Sequence, residues 1–195
     1  MKNLLSLNWL FIALLPFALT FISCDDDDEM DDELEIPANV LEGCCGIPPV
    51  STEVGPGKVY IPNAFTPDRD GLNDLFTIFA GDSIARIDLM QILDSVGTVI
   101  FENELFEPNR GDLGWDGTSG DSLAAGLFNY KFIVRATDNT TKTIEGQACS
   151  IPCIDGTISY SNFSAQMDCA FPVQHDGLGE FDPVLPSFEE FNCVE

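Results

Sequence analysis

Asp68, Asp70 and Asp74, set around Gly71, have the residue types and spacing to surround a hard cation such as calcium. The match to a calcium loop is partial. With Gly71 placed at the invariant glycine of an EF-hand, Thr66 falls on the first ligand position and Thr77 on the last, where carboxylates are required. A complete EF-hand is excluded. Two readings stand: a partial calcium site finished by backbone carbonyls or a distant acid, or turn capping by Asp68 and Asn73 through side chain to backbone bonds. His175 beside Asp176 has the types of an acid–base pair, but it is the single histidine, in a loop-rich stretch, and reads as a turn residue. No G-x-S-x-G, H-E-x-x-H or glycine-rich phosphate loop followed by Lys occurs. A glycosidase needs only two carboxylates, yet among 33 acids nothing selects a pair, so no catalytic residue is assigned.

Seven cysteines carry the next layer of chemistry. Cys24 follows a lone Lys2, the apolar run Leu4 to Ile22 and the small Ser23, and precedes Asp25-Asp26-Asp27-Asp28-Glu29. Basic start, apolar run and small residue make a secretory signal, residues 1–23. Phe21-Ile22-Ser23-Cys24 resembles a lipobox, and the acids after it resemble the surface-export signal of Bacteroidota lipoproteins. The resemblance implies acylation of Cys24 and a lipid-bilayer anchor in the outer membrane. Acids so close to the run argue against a stop-transfer helix, whose cytoplasmic flank carries basic residues. With Cys24 set apart, Cys44, Cys45, Cys149, Cys153, Cys169 and Cys193 form an even set, the pattern of disulfides in an exported chain. Neighbours Cys44 and Cys45 do not join each other; which of the others pair stays open. The C-x3-C of Cys149 and Cys153 has the wrong spacing for a zinc knuckle.

Charge narrows the partners. Thirty-three acids against 8 bases give a net charge of −25, which repels nucleic acid and anionic lipid and excludes nucleic-acid binding.

The elements that must position these residues are short and strand-like. Residues 24–57, acidic and then rich in Gly and Pro, read as a tether. From Lys58, runs of strand length alternate with turn residues, which predicts an antiparallel β-sandwich of the Ig-like or fibronectin-like kind. Alternation is clear from Tyr130 to Arg135, with a bulge expected at Ile133. Trp115, Phe65 and Phe76 are core candidates, with Asp116-Gly117 forming a turn beside the tryptophan; the competing role for Trp115 is an exposed sugar-stacking face. Residues 147–195 read as a cysteine-stapled tail with little regular structure.

Three segments resemble one family in order and spacing: Ile61-Pro-Asn-Ala-Phe-Thr-Pro-Asp-Arg-Asp-Gly-Leu-Asn-Asp-Leu-Phe76, Gly114-Trp-Asp-Gly-Thr118 and Gly126-Leu-Phe-Asn-Tyr130. They are similar to the gliding-motility-associated C-terminal domain, the type B sorting module of type IX secretion, over residues 58–146. The last two are also similar to the Ig-like domain of flagellar hook-capping proteins. In the family the domain ends its protein and exports a large cargo. About fifty residues follow it here, and this departure from the family pattern points to a module that forms the body of the protein rather than a sorting signal.

Three Asp-Ser-apolar tripeptides place Ser83, Ser95 and Ser122 in the O-glycosylation pattern of exported proteins; ordinary Asp-Ser turns are the other reading. The function expected is a non-catalytic Ig-like surface lipoprotein for adhesion or envelope assembly, meeting a surface protein or glycan. No cofactor is required beyond a candidate calcium. An accessory part of gliding or secretion machinery is the alternative, and a small glycosidase a third reading.

Overall fold

The computed structural model describes residues 43–152 and 169–187. The apolar run 4–22, Cys24, Cys153 and Cys193 lie outside them. Among the described residues no helix is long and apolar enough to cross a membrane.

The chain forms an all-β fold. Strands β1 (Val50–Val54), β2 (Gly57–Ile61) and β4 (Phe79–Ala80) make an antiparallel sheet in the order β1-β2-β4. A larger sheet runs β3-β10-β9-β5-β6, built from β3 (Ala64–Phe65), β5 (Ile84–Leu93), β6 (Val99–Phe106), β9 (Gly126–Ala136) and β10 (Thr141–Ser150). Only β3 joins it in parallel, through Cys149 opposite Ala64 and Ser150 opposite Phe65. A small hairpin, β7 (Thr118–Ser119) with β8 (Ser122–Leu123), completes the strands.

Alternation builds the core. In β9, Phe128, Tyr130, Phe132 and Val134 are buried, while the intervening Asn129, Lys131, Ile133 and Arg135 are partly exposed. This is the period of two that turns one strand face inward. The β9 face meets Val59 and Ile61 of β2 and Ile87, Met90 and Ile92 of β5 in one cluster. Full burial of a side chain such as Phe132 contributes about 1.5–3 kcal/mol.

The bulge expected at Ile133 is not there. Ile133 pairs with Leu89 and Val134 with Ile87, so β9 runs without interruption and the extra residues, Ala85 and Asp88, belong to β5. A bulge tolerates a side chain that leaves the ladder, and the Asp88 carboxylate turns to the guanidinium of Arg135, 2.5 Å away. That charge-assisted contact holds the Asp88 carboxyl below the usual range, with Arg86 adding to it.

The boundaries of regular structure are wider than the sequence suggests. β1 lies in the stretch read as tether and pairs with β2 from Val50–Ile61 to Val54–Gly57. β10 continues through Ser150, and the tail includes a bridge between His175 and Phe181. Hydrogen bonds to a neighbouring backbone, rather than any local apolar pattern, extend the sheet at both places.

Candidate functional site

The signature segment starts at the end of β2 and wraps one end of the sandwich. Its aromatic residues go inward. Phe65 lies 5.4 Å from Trp115, and Trp115 and Phe76 each lie 4.8 Å from Phe128 in edge-on contact. Phe76 and Trp115 exchange two backbone bonds, 2.8 and 2.9 Å long. The indole N–H of Trp115 donates to the Thr118 carbonyl at 2.8 Å. All three signature segments thus meet in one aromatic cluster. Trp115 is fully buried, which removes the sugar-stacking role.

The Asp-rich loop sits outside this cluster. Asp68, Asp70 and Asp74 place carboxylate oxygens within 4.8 Å of one another. Those oxygens also hold the loop's own backbone: Asp74 accepts from Arg69 N–H at 2.5 Å and Gly71 N–H at 2.8 Å, and Asp70 accepts from Leu72 N–H at 2.7 Å. Asp68 accepts from Asp70 N–H at 3.1 Å. The Asp68 and Asp70 bonds close Asx turns and the Asp74 bonds clamp the loop from its far end, with Gly71 at φ +94° supplying the left-handed step. Burial raises the Asp68 carboxyl above its ordinary value, and the nearby Asp70 and Asp74 charges add to the effect. Next to the loop, Thr118 holds Asp116 below the usual carboxylate range, with a smaller contribution from Arg69.

Two asparagines of the signature do work that residue type alone does not announce. Asn63 donates through Nδ2 to the Ile47 carbonyl at 2.8 Å and accepts at Oδ1 from Ala170 N–H at 2.6 Å. Asn73 accepts at Oδ1 from Val173 N–H at 3.1 Å and donates to the Ser187 carbonyl at 2.9 Å. Both side chains are almost fully buried. Asn63 therefore ties the segment before the domain to the one after it. The only sequence signal was the presence of amides amid buried apolar neighbours.

Two disulfides reinforce these ties. Cys44 pairs with Cys149 and Cys45 with Cys169. Adjacent cysteines thus fasten the preceding segment to β10 and to the tail separately. The half-buried His175 stacks on Phe79 with ring centroids 4.3 Å apart, and its Nδ1 accepts from Gly177 N–H at 3.1 Å. It faces aromatic rings and shows no catalytic partner among the described residues. Ser95 and Ser122 are exposed and Ser83 is partly buried. Asp94 caps the turn around Ser95 by accepting from the N–H groups of Val96 at 3.0 Å and Thr98 at 2.8 Å.

An all-β module with an aromatic end cluster and disulfide-stapled flanks is the class of domain that these residues define. Residues 59–148 match the CHU_C type IX secretion signal domain. Such a domain marks a secreted or cell-surface protein. No curated protein matches the chain. The crystal structure of CopC from Methylosinus trichosporium OB3b is similar over 55% of this chain and 98% of that chain, at 17% identity and a TM-score of 0.36.

Proposed function

We propose that this protein is a lipid-anchored outer-membrane protein, held through acylated Cys24 and facing outward, whose Ig-like module binds a surface protein or glycan without catalysis. The observation that carries this reading is the fastening of the module on both sides. Cys44–Cys149 links the preceding segment to β10, and Cys45–Cys169 links that segment to the tail. Asn63 bonds to both. A domain built into its flanks in this way suits a permanent body better than a detachable export signal. The acidic run after Cys24 suits a hydrated spacer between bilayer and module.

Protease shaving of intact cells tests the reading, with an inner-leaflet lipoprotein as control. Rapid loss of the protein, together with palmitate labelling that disappears in Cys24→Ala, is expected. Full protection, or labelling that persists in the variant, would overturn it.

A further inference from the structure

We infer that residues 169–187 are an intramolecular peptide ligand, seated in a main-chain docking site formed by the signature segment and the outer face of the small sheet. The segment contributes nothing to the main core: its buried Phe171 and Ala170 lie away from the cluster of Phe65, Phe132 and their neighbours. Its Phe171 packs in a separate cluster with Ala64, Cys149 and Ile151, and its main chain is held by backbone and side chains alike: the Asn63 and Ala64 N–H groups donate to the Ala170 carbonyl at 3.1 and 3.4 Å. Asn63 and Asn73 take the N–H groups of Ala170 and Val173. Tyr60 donates its hydroxyl to the Phe171 carbonyl at 2.9 Å, and Ser51 accepts from Phe181 N–H at 3.1 Å.

The floor of the site is shaped for close approach. Val59 and Ile61 face the core, so Tyr60 between them points to the opposite side of β2. There it is fully buried, against Phe181 at 5.8 Å. A Cβ on Gly179 would lie 2.2 Å from the Lys58 carbonyl oxygen, so the segment's backbone rests directly on the strand. Side-chain amides and hydroxyls thus read the segment's main chain, with the Tyr60 and Phe181 rings in contact between them. The Cys45–Cys169 disulfide tethers this ligand and raises its effective concentration. The site accepts a peptide backbone folded back on itself, closed here by the Gln174 N–H bond to the Phe171 carbonyl and the Asp182 N–H bond to the Gln174 carbonyl, and this chain fills it in cis. The inference deepens the binding-module reading by naming the partner class, and its test is independent of where the protein resides.

The experiment uses the full chain as Cys45→Ser/Cys169→Ser, with a protease site placed between residues 154 and 168. After cleavage, residues 169–187 are expected to dissociate on dilution while the remainder keeps its β-sheet circular dichroism. A labelled synthetic 169–187 peptide carrying Ser at 169 should then rebind, about tenfold or more weakly to Asn73→Gly. Glycine suits the positive φ of +50° at that position. Unfolding of the remainder on release would make the segment part of the fold and overturn the inference, as would rebinding indifferent to Asn73→Gly. Should the uncut variant fail to fold, hydrogen exchange on the unmodified protein decides. Amides of Ala170, Val173 and Phe181 exchanging by local opening support the inference; exchange only with global unfolding overturns it.

Discussion

Phe65 and Trp115 lie 5.4 Å apart with their rings inclined at 50°, and this contact joins two signature segments separated by some fifty residues of chain. Pro67 closes over the same point, where a Cβ on Gly117 would come within 2.8 Å of its ring. The indole has no exposed surface to lose, only packing and one hydrogen bond. Trp115→Ala should therefore cost about 3–5 kcal/mol of stability in urea unfolding. A loss below about 1 kcal/mol would mean the cluster is not the anchor described.

The disulfide pattern is open to direct mapping. Non-reducing peptide analysis should recover Cys44 with Cys149 and Cys45 with Cys169. The first closes a separation of 105 residues, and its removal in Cys44→Ser/Cys149→Ser should lower stability by roughly 2–5 kcal/mol. A Cys44–Cys169 peptide would contradict the arrangement.

His175 gives the tail a dependence on pH with a definite sign. Burial lowers its pKa below the ordinary 6.5, against the weaker opposing pull of Asp176. The unfolded chain then binds the proton more readily than the folded one, so the contribution is complete above about pH 6.5 and declines as pH falls toward the lower folded value. The Gly177 N–H bond to Nδ1 gives the same answer, since a protonated imidazole has no acceptor. Stability should fall between about pH 7 and 5 in the wild type and stay flat over that range in His175→Phe. An identical slope in both would exclude His175 as its source. Asp68 works in the opposite direction, because its raised carboxyl relieves a penalty on protonation, but in the more acidic carboxylate range.

Gly179 supplies a local test of the tail's seating. Its φ of +92° and the Lys58 carbonyl leave no room for a methyl group. Gly179→Ala should speed exchange of the Phe181 amide by about tenfold or more, a local strain of 1–3 kcal/mol, while the β9 amides stay protected. Loss of protection throughout the sheet would show that residues 169–187 are not an independent unit.

For the Asp-rich loop, the oxygens already occupied by Arg69, Gly71 and Leu72 N–H groups predict closure without a cation. Melting in excess calcium and in EDTA should coincide. A rise of several degrees with calcium, abolished in Asp70→Asn, would instead assign the cluster a cation.

Much of this protein was legible in one dimension. Alternation along β9 and the turn residues between runs declare a sandwich because a strand with one buried face must repeat every two residues. The three signature segments name their family through residue type and spacing, and their aromatics announce a core because such rings need burial. What one dimension could not supply was anything that depends on which backbone lies opposite. The bulge moved from Ile133 to β5, at Ala85 and Asp88, because register belongs to a pair of strands, not to either alone. β1 appeared in a supposed tether because β2 offered it hydrogen bonds. The roles of Asn63 and Asn73, and the pairing of two adjacent cysteines with partners more than a hundred residues away, rest on long-range closure. No local pattern encodes such closure: a buried amide or thiol takes whichever complementary group the packed sheets bring within bonding distance.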